Sequence, residues 1–174
     1  MNSDIGTWSP ARVTKQMARA IDSVLVVFMC YFVLMNVTVE RCYCHAPLTA
    51  TDKRFLMPET WDFVNQHNPL FLARPFYMQM ATCISAYGFL PFYIIIAIAA
   101  VYDRWSALST PIVLFIGAKA YAIGFYHLME FTSETPPPNL MPYFAAELPY
   151  IISIGLVLMQ LWRAKSTGIK PKAT

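Results

Sequence analysis

The sequence predicts an all-α polytopic membrane protein, a bundle of four transmembrane helices in a single domain. Of its 174 residues, 57% are hydrophobic, 15% are aromatic and only 13% are charged. Soluble domains carry about 25% charged residues, so this composition indicates a chain that lies in lipid. Four apolar stretches have the length of about 20 residues that crosses a bilayer, which leaves no room for a separate aqueous domain.

The four predicted spans follow from length and hydropathy, taken in chain order. They cover residues 21–39, 76–101, 111–129 and 142–162. The first would form a helix of about 28 Å, close to the thickness of the hydrocarbon layer. The second has no formal charge, whereas Lys119 interrupts the third and Glu147 interrupts the fourth. The two charged residues therefore need an explanation beyond membrane insertion.

The connections between the spans carry their own signals. Residues 13–20 are expected to form a short interfacial helix that leads into span one. In the long connection between spans one and two, Pro58 favours the start of a short helix over 59–66. Pro91 lacks a backbone N–H and is expected to bend span two. Three consecutive prolines within 135–139 exclude a helix between spans three and four.

Basic residues are concentrated on one side of the predicted bundle. They precede span one and follow spans two and four, and the positive-inside rule makes that side cytosolic. An N-terminal segment, 1–20, and a basic tail, 164–174, are therefore expected in the cytosol, with the membrane domain, 21–163, between them. Lys170 and Lys172 have the spacing of a dilysine signal for the endoplasmic reticulum. The net charge of +3 is too small to indicate a nucleic-acid partner.

The cysteines and the absent motifs limit the chemistry. Cys30 and Cys83 lie inside predicted spans and are expected to act as small apolar packing residues. Cys42 and Cys44 would lie on the lumenal side, where oxidation permits a disulfide, but the sequence identifies no partner for them. The spacing of the cysteines does not match a zinc site, and neither a glycine-rich phosphate loop nor an H-E-x-x-H motif is present. The sequence thus predicts no cofactor, no metal and no catalytic motif.

Polar residues at membrane depth mark candidate sites, because a bundle must compensate for their desolvation. Asn36 and Glu40 are four residues apart and project from one face of span one. In span three, a polar stripe runs from Lys119 to Glu130. The other candidates are Thr82 and Ser85 in span two, Tyr126 and His127 in span three, and Glu147 and Tyr150 in span four.

Two interpretations of these residues remain open. In the first, Lys119 forms a buried ion pair with Glu40 or Glu147 that only fixes the register of the helices. In the second, the spans surround a cavity whose carboxylates meet a cationic or hydroxylated lipid-like ligand and whose aromatic rings hold its apolar body. His127 is expected to be a hydrogen-bonding residue at the rim, since no second histidine stands at helical spacing from it.

Four short motifs resemble the EXPERA family of four-helix membrane proteins, which includes the emopamil-binding protein, a sterol isomerase, and the sigma-2 receptor. Asn36-x-x-x-Glu40 is similar to the H-x-x-x-E that closes the family's first helix in the isomerase, with asparagine in the histidine position. The other motifs are Gly88-Phe-Leu-Pro-Phe92 in span two, Trp105 with Thr110-Pro111-Ile112 ahead of span three, and Ala146-Glu-Leu-Pro-Tyr-Ile-Ile152 in span four. The likeness extends from residue 24 to residue 163.

The resemblance implies that Glu40 holds the cation or hydroxyl of a ligand and that Glu147 and Tyr150 line the pocket. The family's acid in the second helix is absent, and Thr82 or Ser85 stands in its region. Sterol isomerisation needs a positioned acid and base around a carbocation. The resemblance therefore implies intramembrane binding of a sterol or similar amphipathic lipid without catalysis.

Two alternatives to this function remain open. The chain could be an accessory structural subunit of a larger membrane complex, with its pocket filled by a structural lipid or closed by the Lys119 pair. It could also be an active sterol Δ8–Δ7 isomerase that uses Glu40 and Glu147 as its acid and base. The expected partners are a lipid and the membrane, and the chain could in addition form a homodimer or join a membrane complex.

Overall fold

The computed structural model describes residues 10–168 of the chain, and their side chains from 15 to 166. The described residues form six helices and contain no strand. The helices are α1 (10–45), α2 (Met57–His67), α3 (Pro69–Ala73), α4 (Phe76–Val101), α5 (Ser109–Thr132) and α6 (Leu140–Gly168). The prediction of an all-α protein is confirmed. Lys170 and Lys172 lie outside the described residues.

Four of these helices are long and apolar enough to cross a membrane. The spans are Lys15–His45, Phe76–Val101, Ser109–Thr132 and Leu140–Ser166. The second span has the predicted bounds. Each of the other three contains the predicted span and extends beyond it at both ends. Hydropathy marks only the apolar part of a helix, whereas the backbone hydrogen bonds continue into its polar ends. For the same reason residues 13–20 do not form a separate helix but continue directly into span one.

The spans form a closed bundle. Helix α1 packs against α4 and α6, and α5 packs against the same two helices from the opposite side. We call the end with the connections 46–75 and 133–139 the loop end, and the opposite end the terminal end. The apolar core of the terminal half is centred on Met29, Phe32, Tyr93, Ile96, Trp105, Phe115 and Val157, and that of the loop half on Val39, Tyr43, Met57, Val64 and Met78.

Two spans contain a π-helical turn, and the two turns face each other. The first covers Asn36–Glu40 in α1, and the second covers Ser85–Phe89 in α4. Pro91 follows the second turn, and its missing N–H accounts for an irregular backbone at this point, as predicted. The turn in α1 was not predicted. π-Turns inside α-helices occur frequently at functional sites, and both of these turns contain polar candidate residues.

A hydrogen-bonded cluster joins three elements at the terminal end. The indole nitrogen of Trp105, in the connection between α4 and α5, donates to Asp22 Oδ1 of α1 at 3.0 Å. Gln160 of α6 donates to the same oxygen at 2.7 Å and to the backbone carbonyl of Ala18 at 2.8 Å. Trp105 and Gln160 are both fully buried. The cluster therefore fixes the connection and two spans relative to one another.

The long connection folds over the loop end of the bundle. Helix α2 confirms the predicted helix at 59–66 and is longer, with Pro58 in its first turn. The side-chain oxygen of Asn68 accepts a hydrogen bond from Phe71 N at 2.9 Å and so caps α3. The second connection, 133–139, contains no helix, as its prolines predicted.

A charged turn lies within the long connection, outside the spans. Arg54 donates to the Asp52 carboxylate from its backbone N–H and from its guanidinium. The hydrogen bonds from the Arg54 side chain have the larger effect and the one from its backbone N–H the smaller. Together they lower the pKa of Asp52 to about 2. The carboxylate therefore remains ionised throughout the neutral and mildly acidic range.

Cys44 and Cys83 form a disulfide that ties the end of α1 to α4 just before its π-turn, with Cα atoms 4.9 Å apart. The prediction that Cys83 is only a packing residue was wrong. Its partner is 39 residues away in sequence, and only the tertiary packing brings the two together. Arg74 and Gln79 donate to the Cys44 carbonyl, both at 3.0 Å, and hold the same junction. Cys30 and Cys42 are free thiols.

Removing the disulfide should destabilise the loop end. We expect Cys83→Ala to lower the free energy of unfolding by about 2–4 kcal/mol, because the unfolded chain loses a cross-link. Cys30→Ala, which removes an exposed free thiol, should change it by less than about 0.5 kcal/mol. Unfolding in mixed micelles and non-reducing peptide mapping provide the test. A Cys42–Cys83 peptide, or equal stability of the two variants, would contradict the assignment.

Candidate functional site

Lys119 lies in the centre of the bundle inside a cage of its own aromatic residues. Its side chain is 2% exposed. Its ammonium nitrogen lies 4.1 Å from the ring centre of Phe32, 4.6 Å from that of Tyr93 and 5.2 Å from that of Tyr150. A desolvated cation over aromatic faces gains about 2 kcal/mol or more. These rings come from α1, α4 and α6, so the lysine of α5 holds all four spans together.

The buried ion pair of Lys119, one of the two interpretations of the sequence, does not form. Within the described part of the chain, no carboxylate oxygen lies within 4.0 Å of the ammonium, and its nearest polar partner is Ser153 Oγ at 3.5 Å. Glu40 interacts with Lys119 only at longer range. The ammonium is surrounded by the rings of Phe32, Tyr93 and Tyr150 instead.

Asn36, Glu40 and Ser85 meet where the two π-turns face each other. The Asn36 amide nitrogen lies 2.5 Å from Glu40 Oε2 and 3.4 Å from Ser85 Oγ. Asn36 is fully buried, and its carbonyl oxygen Oδ1 has no hydrogen-bond partner. Thr82 is also buried, but its hydroxyl donates to Met78 O within its own helix. Of the two residues predicted for this region of α4, Ser85 is the one that joins the site.

Glu130 is the second polar centre and lies nearer the loop end. Its side chain is 0% exposed, and neither carboxylate oxygen has a hydrogen-bond partner. Tyr126 and Asn68 lie beside it without the geometry of a hydrogen bond to it, and Asn68 Nδ2 instead donates to the Tyr126 hydroxyl at 2.7 Å. Because buried polar atoms are nearly always paired in proteins, two open carboxylate oxygens indicate a missing donor.

Glu147 lies between these two centres. It is half-buried and forms no hydrogen bond or ion pair with any other described residue. Glu40 and Glu130 are both within electrostatic range of it, and so is Tyr150. Carboxylates from α1, α5 and α6 therefore converge on the interior of the loop half. The sequence predicted the convergence of Glu40 and Glu147, and Glu130 is an addition to it.

His127 lies at the rim in an aromatic cluster. Its ring stacks on Phe144 and Phe131, and it meets the edge of Tyr143. Its Nδ1 lies 2.8 Å from the Ile123 carbonyl, so Nδ1 carries the proton there. Its Nε2 is buried without a partner, as is the hydroxyl of Tyr143. The described residues contain no group of three side chains that could hold a metal ion, at His127 or elsewhere.

Several residues of the site were not predicted, although the sequence contains a signal for them. Phe32 stands four residues before Asn36 and eight before Glu40, on one helical face. Tyr93 stands eight residues after Ser85, and Tyr143 stands four residues before Glu147. A search for aromatic residues one or two helical turns away from the polar candidates would have found Phe32, Tyr93 and Tyr143. Asn68 could not be found in this way, because it reaches the site from the long connection.

An apolar groove opens on the outer surface between α1 and α4. Its volume is about 560 Å³, within the range of about 300–1,000 Å³ that is typical of ligand sites. The side chains that line it are Met29, Cys30, Val33, Leu34, Val37, Ile94, Ala97, Ile98, Val101 and Tyr102. One lining residue, Val37, belongs to the first π-turn, so the groove reaches this turn on the outer surface. Asn36 and Glu40 are not among the residues that line it.

Comparison with family models, with curated proteins and with solved structures finds no match to this chain. The resemblance to the EXPERA family therefore stays a prediction that depends on the four motifs, and the geometry described above carries the functional argument.

Proposed function

We propose that this chain binds a sterol or similar amphipathic lipid in its helical bundle, with the polar head at Asn36 and Glu40. The observation that carries the proposal is the unpartnered Oδ1 of the fully buried Asn36, beside a Glu40 carboxylate that can accept further hydrogen bonds. A single hydroxyl can donate to only one of these oxygens. It can accept in return from the Ser85 hydroxyl, so a sterol hydroxyl fits the group.

The apolar body of such a lipid would occupy the groove between α1 and α4. The groove has apolar walls and opens to the bilayer, so the ligand would reach it without passing through water. Ligand sites combine apolar walls of this kind with a few placed polar groups. The resemblance to the EXPERA family agrees with this class of ligand.

In this proposal the site does not catalyse isomerisation. The neighbours of Glu40 are an amide and a serine hydroxyl, and neither is an acid strong enough to protonate a carbon–carbon double bond. Lys119 lies among the rings rather than beside the carboxylates. An isomerase would have to use Glu40 and Glu147 alone, and restoration of sterol synthesis in an isomerase-deficient strain would reveal that activity.

A second candidate function is that of an accessory subunit of a larger membrane complex. The observation that favours it is the Lys119 ammonium, which fills the aromatic cage that a ligand's cation would otherwise occupy. A bundle closed by its own cation does not require a ligand for stability. The proposed location in either case is the endoplasmic reticulum with both termini in the cytosol, as the charge distribution and the Lys170 and Lys172 pattern predict.

A photoreactive sterol tests the first proposal. Reconstituted protein should be labelled within 29–40 of α1 and 94–102 of α4, and Glu40→Gln should reduce labelling at least about fivefold, because a neutral acceptor binds a hydroxyl about 1 kcal/mol less tightly than a carboxylate. Glu134→Gln, in the exposed second connection, is the matched control and should leave labelling unchanged. Equal labelling of Glu40→Gln and the wild type would contradict the proposal.

A further inference from the structure

We propose a second binding site at the loop end, centred on Glu130, whose ligand is a primary ammonium group. This site does not depend on sterol binding at Asn36 and Glu40. Glu130 is a formally charged group with no exposed surface, and its two oxygens together accept no hydrogen bond within the described part of the chain. A ligand with several N–H donors supplies what these oxygens lack.

Tyrosines from all four spans lie around Glu130. Tyr43, Tyr77, Tyr126 and Tyr143 all lie within electrostatic range of its carboxylate. They come from α1, α4, α5 and α6, so every span contributes one ring. Carboxylate and aromatic faces together are the usual means by which proteins bind an ammonium group. The tyrosines also exclude bulk water, which strengthens the attraction between the two charges.

Charge balance at this depth favours a cation as the ligand. Glu40, Glu130 and Glu147 lie in the loop half, and none of them has an ion-pair partner among the described residues. The Lys119 ammonium is held by Phe32, Tyr93 and Tyr150, and the Arg74 guanidinium packs over the Tyr43 ring and donates to backbone carbonyls. Neither forms an ion pair with Glu130, so a bound cation would compensate the charge of that carboxylate.

The chemistry selects an organic cation with N–H donors. A metal ion does not fit, because no three suitable side chains come together in the described residues. The Tyr126 hydroxyl accepts a hydrogen bond from Asn68, while the Tyr143 hydroxyl and His127 Nε2 have no partner. In the neutral tautomer with the proton on Nδ1, Nε2 is an acceptor and can accept from an ammonium. A quaternary ammonium would satisfy the charge but none of these acceptors.

Hexylammonium binding to the full chain in phosphatidylcholine nanodiscs tests the site. We expect hexylammonium to raise the melting temperature and to bind at least about tenfold more tightly than hexanol or hexyltrimethylammonium. Glu130→Gln should lower its affinity at least about tenfold, since the pair loses its charge. Glu134→Gln is the matched control, and both Glu134→Gln and Glu40→Gln should keep wild-type affinity. Unchanged hexylammonium affinity in Glu40→Gln would separate this site from the proposed sterol site.

Two further comparisons keep the test decisive. If Glu130→Gln fails to fold, the comparison of hexylammonium with hexanol on the wild type still decides, and equal affinities would overturn the proposal. Unchanged affinity of a folded Glu130→Gln would also overturn it. Nanodiscs that contain phosphatidylethanolamine identify the source of the ammonium. If phosphatidylethanolamine in the discs weakens hexylammonium binding, the natural ligand is a lipid headgroup. If hexylammonium affinity is the same in both kinds of disc, the natural ligand is a free amine.

Discussion

Replacing Trp105 with alanine is expected to lower the free energy of unfolding by about 3–5 kcal/mol, the largest effect of any single change considered for this protein. Trp105 is 0% exposed and packs in the core of the terminal half. Its removal leaves a large void and takes one hydrogen-bond donor from Asp22, which keeps Gln160 as a donor and the ion pair with Arg163. Steric trapping in bicelles measures the loss.

Two comparisons separate the parts of the Trp105 effect. Trp162→Ala is the matched control, because Trp162 is 78% exposed on the surface of α6 and should change stability by less than about 1 kcal/mol. Trp105→Phe keeps most of the ring volume but loses the donor, so it should cost about 1–2 kcal/mol. A loss from Trp105→Ala no larger than that from Trp162→Ala would show that the terminal cluster does not hold the connection.

Replacing Phe32 with alanine is expected to cost about 3 kcal/mol, the second largest effect. The ring lies closest to the Lys119 ammonium and stacks on Tyr150 with centres 4.3 Å apart. Within a bilayer, lipid tails are as apolar as the protein core, so the cost arises from the void and the lost cation–ring contact rather than from transfer out of water. The expected value therefore lies at the lower end of the range for large aromatic residues.

The same steric-trapping assay resolves the cation–ring contribution. Phe76→Ala, at a ring that is 76% exposed, is the control and should change stability by less than about 1 kcal/mol. A double-mutant cycle with Phe32→Leu and Lys119→Met should give a coupling of about 1–2 kcal/mol between the two side chains. Strict additivity would mean that the cage does not stabilise the ammonium.

The architecture could be predicted because hydrophobicity and length alone determine where a chain can cross a bilayer. The short helix after Pro58 and the irregular backbone before Pro91 were predicted for equally local reasons. Cys83 shows the limit of this reasoning: a disulfide partner 39 residues away depends on which helices pack together. The π-turn at Asn36–Glu40 has no proline or glycine to indicate it.

The candidate site was predicted in part. Helical spacing placed Asn36 with Glu40 and Lys119 with Glu130, and the structure keeps the first pair in contact. One of the two interpretations of the sequence, a Lys119 ion pair, is not what the structure shows: charge alone favours a carboxylate, while the packing of Phe32, Tyr93 and Tyr150 places rings closer. The open oxygens of Glu130 could not be predicted, since a missing partner is a property of the whole fold.

Lipid mass spectrometry of the protein purified from its native membrane in mild detergent tests the central claim most directly. The proposed function predicts one sterol or similar amphipathic lipid per chain in the wild type and loss of that lipid in Glu40→Gln. A folded wild-type chain that carries no stoichiometric lipid, or that carries the same amount in Glu40→Gln, would contradict the claim.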